Sequence, residues 1–196
     1  MKHIQSIINS LFIIVILGFS SCNNDLEGTF RLSDEAQKYL IDTTIISFRM
    51  EDNYGISEEF YQSNIFYQTH HFFYPLEDAF LENFGISYSS SINRFYFMYV
   101  LRADTDHTSM EIEWNQKDMF TMNLNTKEIT YGVVPKVSFC DTMTVRNTNY
   151  YNIIEIDYTD NINKIDKDTP VKTYISGNKG LIKFIRKDGV ILERVE

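Results

Sequence analysis

Between residues 110 and 124 the side chains keep a period of two. Met110, Ile112 and Trp114 alternate with Glu111 and Glu113, and Phe120, Met122 and Leu124 alternate with Thr121 and Asn123. A helix would scatter such a pattern around its circumference, whereas a strand sends successive side chains to opposite faces. The segment therefore predicts two half-buried strands, each with one wetted face. Arg94–Arg102, whose members Phe95 to Leu101 are apolar on both faces, predicts a central strand covered on both sides. Residues 150–158, with Ile153, Ile154 and Ile156, predict another. Near the C-terminus, residues 181–187 and 190–195 flank Asp188-Gly189. An Asp-Gly pair between two strands predicts a type I′ hairpin, because both residues tolerate positive φ.

Helix signals are sparse, and Ala occurs only at positions 36, 79 and 103. Ser33-Asp34-Glu35 can cap and charge a short helix running to Leu40. Residues 75–84 predict a second one, since Leu76, Phe80 and Phe84 are four apart with Pro75 in front and Gly85 behind. The expected fold is mainly β: an antiparallel domain with one or two short helices. An α+β arrangement is the alternative, because the composition by itself does not settle the class.

The N-terminus reads as an address. Lys2 precedes an apolar stretch over residues 7–19, too short to span a membrane, and Ser20-Ser21-Cys22 follows. Residues 19–22, Phe-Ser-Ser-Cys, resemble a bacterial lipoprotein signal. That resemblance implies cleavage before Cys22 and attachment of diacylglycerol and a further acyl chain, such as palmitate, to it. The other reading is an ordinary secretory signal with an unrelated Cys. The expected organisation is a signal peptide over residues 1–21, a polar tether over 22–29 and a single β-rich domain over 30–196. Two acyl chains anchor stably, so the expected partner is a membrane, reached through lipid at Cys22, and the expected location is the cell envelope at the outer membrane. Asp25 and Glu27 resemble the acidic surface-export signals of lipoproteins from the phylum Bacteroidota, but they are not adjacent, and the periplasmic and surface faces both stay open.

The C-terminal part carries a second resemblance. Tyr150-Tyr151-Asn152-Ile153-Ile154-Glu155-Ile156, Thr173-Tyr174-Ile175-Ser176 and Gly180-Leu181-Ile182-Lys183-Phe184, followed by the Asp-Gly turn, are similar to uncharacterised lipoproteins of the Bacteroidota. Related endings occur in periplasmic half-barrel proteins, and this implies a curved sheet around an apolar groove. It brings no catalytic residue with it.

Charge narrows the partners. With 27 Asp and Glu against 18 Lys and Arg, the chain has a formal charge of −9 and no basic block, which argues against nucleic acid. Cys140, in the strand-like run Val137-Ser138-Phe139-Cys140, is expected to be a buried, inert thiol with no base near it. His70 and His71 are adjacent, so in a strand they face opposite ways and cannot readily chelate one metal, and His107 stands apart. Oxygen ligands cluster at Asp157, Thr159, Asp160, Asn161, Asn163, Asp166 and Asp168. Their spacing lacks the Gly and the bidentate Glu of a calcium loop, so the cluster reads as a solvated loop with calcium binding left open. Glu111 and Glu113 share a strand face. Asp42-Thr43-Thr44 and Asp141-Thr142-Met143 resemble an O-glycosylation acceptor of the same phylum, at Thr43 and Thr142. No metal, cofactor or catalytic constellation is expected. The functional expectation is a lipid-anchored, non-enzymatic binding or interaction module. The alternative is an envelope assembly or structural factor without a small ligand.

Overall fold

The computed structural model describes residues 28–74, 77–92, 95–104 and 107–195. The period-two segment forms β6 (Thr108–Trp114) and β7 (Asp118–Asn123), and burial alternates residue by residue along β6. Met110, Ile112 and Trp114 are enclosed, while Glu111 and Glu113 line the outer face. The doubly apolar run is β5 (Tyr96–Ala103), which lies between β4 (Glu77–Ser90) and β6 as a central strand. Val100 is buried on its outer side, but Tyr96 and Met98 are only half covered.

Three further strands precede these: β1 (Gly28–Phe30), β2 (Ser47–Asp52) and β3 (Ser57–Tyr74). After β7 come β8 (Ile129–Gly132), β9 (Lys136–Val145), β10 (Thr148–Asp157), β11 (Lys172–Ser176), β12 (Gly180–Ile185) and β13 (Ile191–Val195). Gly28 and Thr29, expected at the end of the tether, thus already belong to β1. Hairpin neighbours pair throughout β2–β8 and again through β9–β13, and β13 joins the two runs by pairing with β2. β1 lies outside this order, parallel to β4. The path has two ends, β8 and β9, joined by residues 133–135 and not hydrogen-bonded to each other. The sheet is therefore not closed into a barrel but open along one seam, between β8 and β9.

Where residues 75–84 predict a helix, the described residues are strand from Glu77 onward. The spacing of Phe80 and Phe84 fits both periods, because every fourth residue of a strand also shares a face. Phe84, Ile86 and Tyr88 continue at intervals of two into the core, and the pairing of β4 with β3 and β5 decides for strand. The predicted first helix is present but short: α1 (Asp34–Gln37), capped by Ser33 Oγ, which accepts from the Ala36 N–H at 3.2 Å.

The last hairpin forms with a different turn from the one expected. Arg186 N–H donates to Val190 O and Gly189 N–H to Arg186 O, and only Gly189 has positive φ (+84°). This is a three-residue loop with Gly in the left-handed position, not a type I′ turn. The left-handed pairs occur at Arg146-Asn147 (φ 47° and 69°), between β9 and β10, and at Asn115-Gln116 (φ 55° and 58°), between β6 and β7.

Aromatic rings fill the concave side. Phe97 meets Trp114 at 5.0 Å, Trp114 meets Phe184 at 5.3 Å and Phe184 meets Phe60 at 6.2 Å. Phe60 stacks on Phe48 at 5.3 Å, and Phe48 meets Tyr88 edge-on at 4.9 Å. These contacts cross the interior from β5 and β6 through β12 to β3, β2 and β4. The groove implied by the half-barrel resemblance is therefore occupied by the protein's own core. A smaller cluster, Val145, Tyr150, Ile153 and Ile182, packs separately from this core. Arg194 is buried at this wall, its guanidinium 4.4 Å above the Phe48 ring and its Nη1 donating to Lys179 O.

Beyond its contact with β2, which ends at Tyr61, β3 continues as one arm of a long hairpin with β4. Phe66 pairs with Gly85, where a Cβ would come within 2.2 Å of Phe66 Cζ, so the ring lies over the bare glycine.

Candidate functional site

The seam of the sheet holds a cleft of about 480 Å³. Lys117 and Met119 come from the start of the β7 hairpin, Tyr131 and Gly132 from β8, Val133 and Val134 from the link to β9, and Asn161 and Lys164 from the segment after β10. Local geometry sets each wall. The left-handed pair Asn115-Gln116, closed by Lys117 N–H to Trp114 O at 3.1 Å, delivers Lys117 to the rim. Gly132 sits at φ +92° in a β8 edge strand whose register against β7 shifts at Thr121/Met122. A Cβ there would lie 1.8 Å from Met119 O, so only glycine lets the two backbones approach this closely.

Side chains bridge the seam in place of a ladder. Asn161 Nδ2 donates to Val134 O at 2.8 Å, tying the segment after β10 to the link between the edges. Toward the β7–β8 turn, Lys127 Nζ lies 4.1 Å from the centroid of the Phe139 ring on β9. Lys117 Nζ bonds Asp166 Oδ2 at 3.0 Å. The Asp168 N–H, and then Lys117, hold the Asp166 carboxyl below its ordinary range. Lys164 is exposed, and no described carboxylate lies within ion-pair distance of its ammonium. Tyr131 and Val134 are 63% and 56% exposed, so an aromatic and an aliphatic surface stand open beside the two ammonium groups.

The sequence-derived candidates lie elsewhere. Cys22, with the other residues up to 27, falls outside the described residues. His70 and His71 pair with Leu81 and Phe80 by register, and their side chains fall outside the description. His107 Nε2 is 3.9 Å from Asp104 Oδ2. Glu111 accepts from Arg102 Nη2 at 3.2 Å. Burial, with Glu111 adding to it, raises the pKa of Glu113. In the Asp/Asn loop two carboxylates are engaged by lysines: Asp166 by Lys117, as above, and Asp157, whose Oδ1 accepts from the Thr159 N–H at 2.8 Å and whose Oδ2 accepts from Lys172 Nζ at 2.6 Å. Although burial alone would raise it, these partners hold the Asp157 pKa below the ordinary value. Among the described residues no group of three His, Cys, Asp or Glu is placed to hold a metal ion. Thr43 and Thr142 are both exposed.

Cys140 departs from expectation. It is exposed, because β9 alternates Val137 and Phe139 inward with Ser138, Cys140 and Thr142 outward. Partial burial, then Glu155 and Asp141, raises its pKa. A maleimide should therefore label Cys140 in the folded protein without denaturant, and more slowly at pH 7 than a free cysteine, because the thiolate is the reactive form. Labelling that requires denaturant would contradict the exposure.

Together these features define a mainly β protein: one open sheet whose twelve-strand path is antiparallel, with a cleft at its seam. No family model, curated protein or solved structure matches the chain.

Proposed function

We propose that the protein is a lipid-anchored envelope protein, acylated at Cys22 and held at the outer membrane, whose domain is a non-enzymatic binding module. The seam cleft carries the binding part of this reading. Its volume falls within the roughly 300–1,000 Å³ of small-ligand sites. Its lining sets an exposed Tyr ring beside an amide and two ammonium groups. A polar glycan bearing acidic groups suits that lining, since a sugar face packs on Tyr131 and a carboxylate meets Lys164. The ordered signal, Lys2, an apolar run and Ser20-Ser21-Cys22, supports the anchor. A structural role without a small ligand is the second reading, and the filled concave face favours it.

The test uses full-length protein extracted from membranes of cells fed an alkyne fatty acid. Wild type is expected to carry the label and Cys22→Ser to lack it. Native mass spectrometry should show a glycan adduct on wild type that Tyr131→Ala loses. An unlabelled wild type removes the anchor from the reading, and a wild type free of adduct transfers the function to the structural alternative.

A further inference from the structure

Strand edges expose unpaired N–H and C=O groups, and proteins usually blunt them with charge, proline, bulges or shortness. Both seam edges are blunted here. β8 has only four residues and a register shift, and β9 follows Pro135, begins with Lys136 and carries Asp141. The free edge of β3 is different. Its pairing with β2 ends at Tyr61, and Gln62 N–H is taken by Ile46 O at 2.8 Å. From residue 64 to 74 the strand pairs with β4 on one side only, among the described residues. β1 lies on the other strand of this hairpin, against residues 79–81 of β4. Residues 60–74, FYQSNIFYQTHHFFY, contain no Asp, Glu, Lys, Arg, Gly or Pro. Ile65 and Tyr67 are 38% and 59% exposed, and Gln68 is exposed too.

We infer that this edge pairs with the same edge of a second copy, antiparallel about a two-fold axis, to make a dimer through a continuous sheet. Charge favours a like partner. The chain carries −9 overall, so most faces of two copies repel, whereas residues 64–74 meet without a formal charge on either side. The sequence is also self-complementary. With the axis at Thr69, the middle of the free stretch, Ile65 falls opposite Phe73 and Phe66 opposite Phe72. Apolar and aromatic cross-strand pairs of this kind stabilise a ladder, and a two-fold contact closes on itself and does not run on into fibres.

Residues opposite each other in an antiparallel ladder have Cα atoms about 4.5–5.5 Å apart, within disulfide range. The experiment is oxidative cross-linking, in membranes, of the full chain carrying Cys140→Ser and Thr69→Cys. A reducible species of twice the monomer mass is expected. Adding Ile65→Lys and Gln68→Lys, both at exposed positions, should lower its yield at least about tenfold, a loss of about 1.4 kcal/mol in pairing. The circular dichroism spectrum of that variant should match its parent. Monomer alone, a link only to a different protein, or a yield indifferent to the two lysines would overturn self-pairing. So would equal cross-linking from Thr142→Cys on β9, which would mark random collision.

Discussion

Phe184→Ala is expected to lower the unfolding free energy by about 3–5 kcal/mol, the range for deleting a buried aromatic ring. Phe184 is fully enclosed. It stands on β12, in the C-terminal run of hairpins, yet its ring meets Phe60 at 6.2 Å, Phe95 at 5.4 Å and Trp114 at 5.3 Å, all from the N-terminal run. The substitution leaves a void where the two halves of the sheet face each other. That void cannot close unless one wall moves, and both walls are tied through β13 and β2. Urea unfolding of wild type and variant measures the loss. A change under about 1 kcal/mol would mean that the interior rearranges freely and is not close-packed in the way described.

Gly132→Ala is the second large effect, and its size is best judged beside Gly55→Ala. Both glycines have positive φ, +92° and +84°, so both substitutions carry the left-handed penalty of roughly 1–2 kcal/mol. At Gly55 nothing lies within 4 Å of an added Cβ, and the penalty stands alone. At Gly132 the Cβ would sit 1.8 Å from the backbone oxygen of Met119, so β8 must also move off β7. The Gly132 variant should therefore lose at least about 1 kcal/mol more than the Gly55 variant in the same melt. Hydrogen exchange should show the extra loss as faster exchange at residues 119–122 and 129–132. Equal losses at the two positions would mean that the close approach of β7 and β8 is not tight.

Much of the architecture could be read from alternation alone. β5, β6, β7 and β10 lie where period two or doubly apolar runs placed them, because a strand with one buried face has its register dictated by which residues avoid water. Failures came where one observation fitted two geometries. Phe80 and Phe84 share a face in a helix and in a strand, and only their partners in β3 and β5 decide between them. Cys140 closes the run Val137-Ser138-Phe139-Cys140, yet Ser138, two residues before it, already signalled that the even-numbered members face outward. Asp188-Gly189 marked a hairpin correctly but not its loop length, since neighbouring backbone hydrogen bonds choose the turn. Arg146-Asn147, a true left-handed pair, carries no Gly to announce it.

The seam cleft was not legible at all. Its lining comes from the 115–119 turn, β8 with the link after it, and the segment at 159–165. Each is unremarkable alone, and they meet only because β13 bonds to β2 and bends the sheet round. Gly132 was the one local hint, an isolated glycine in an otherwise apolar and β-branched stretch. The oxygen-rich loop has only part of the spacing of a calcium loop. Its contribution in the fold is Asn161, which latches the seam, and Asp166, which holds Lys117 at the rim.

The β13–β2 ladder also has a consequence for how the chain acquires its shape. Every other pairing in the twelve-strand path joins strands adjacent in sequence, whereas Leu192 must find Asp52 across nearly the whole domain. Hairpins close small loops quickly, and a contact of such long separation must first offset the entropy of the chain between its ends. The hairpins within each run can therefore close locally, and the joint between the two runs is expected to form last. Until it does, β2 and β13 are both open edges next to incompletely covered aromatic faces. That interval is when the chain is most exposed to pairing with the wrong partner.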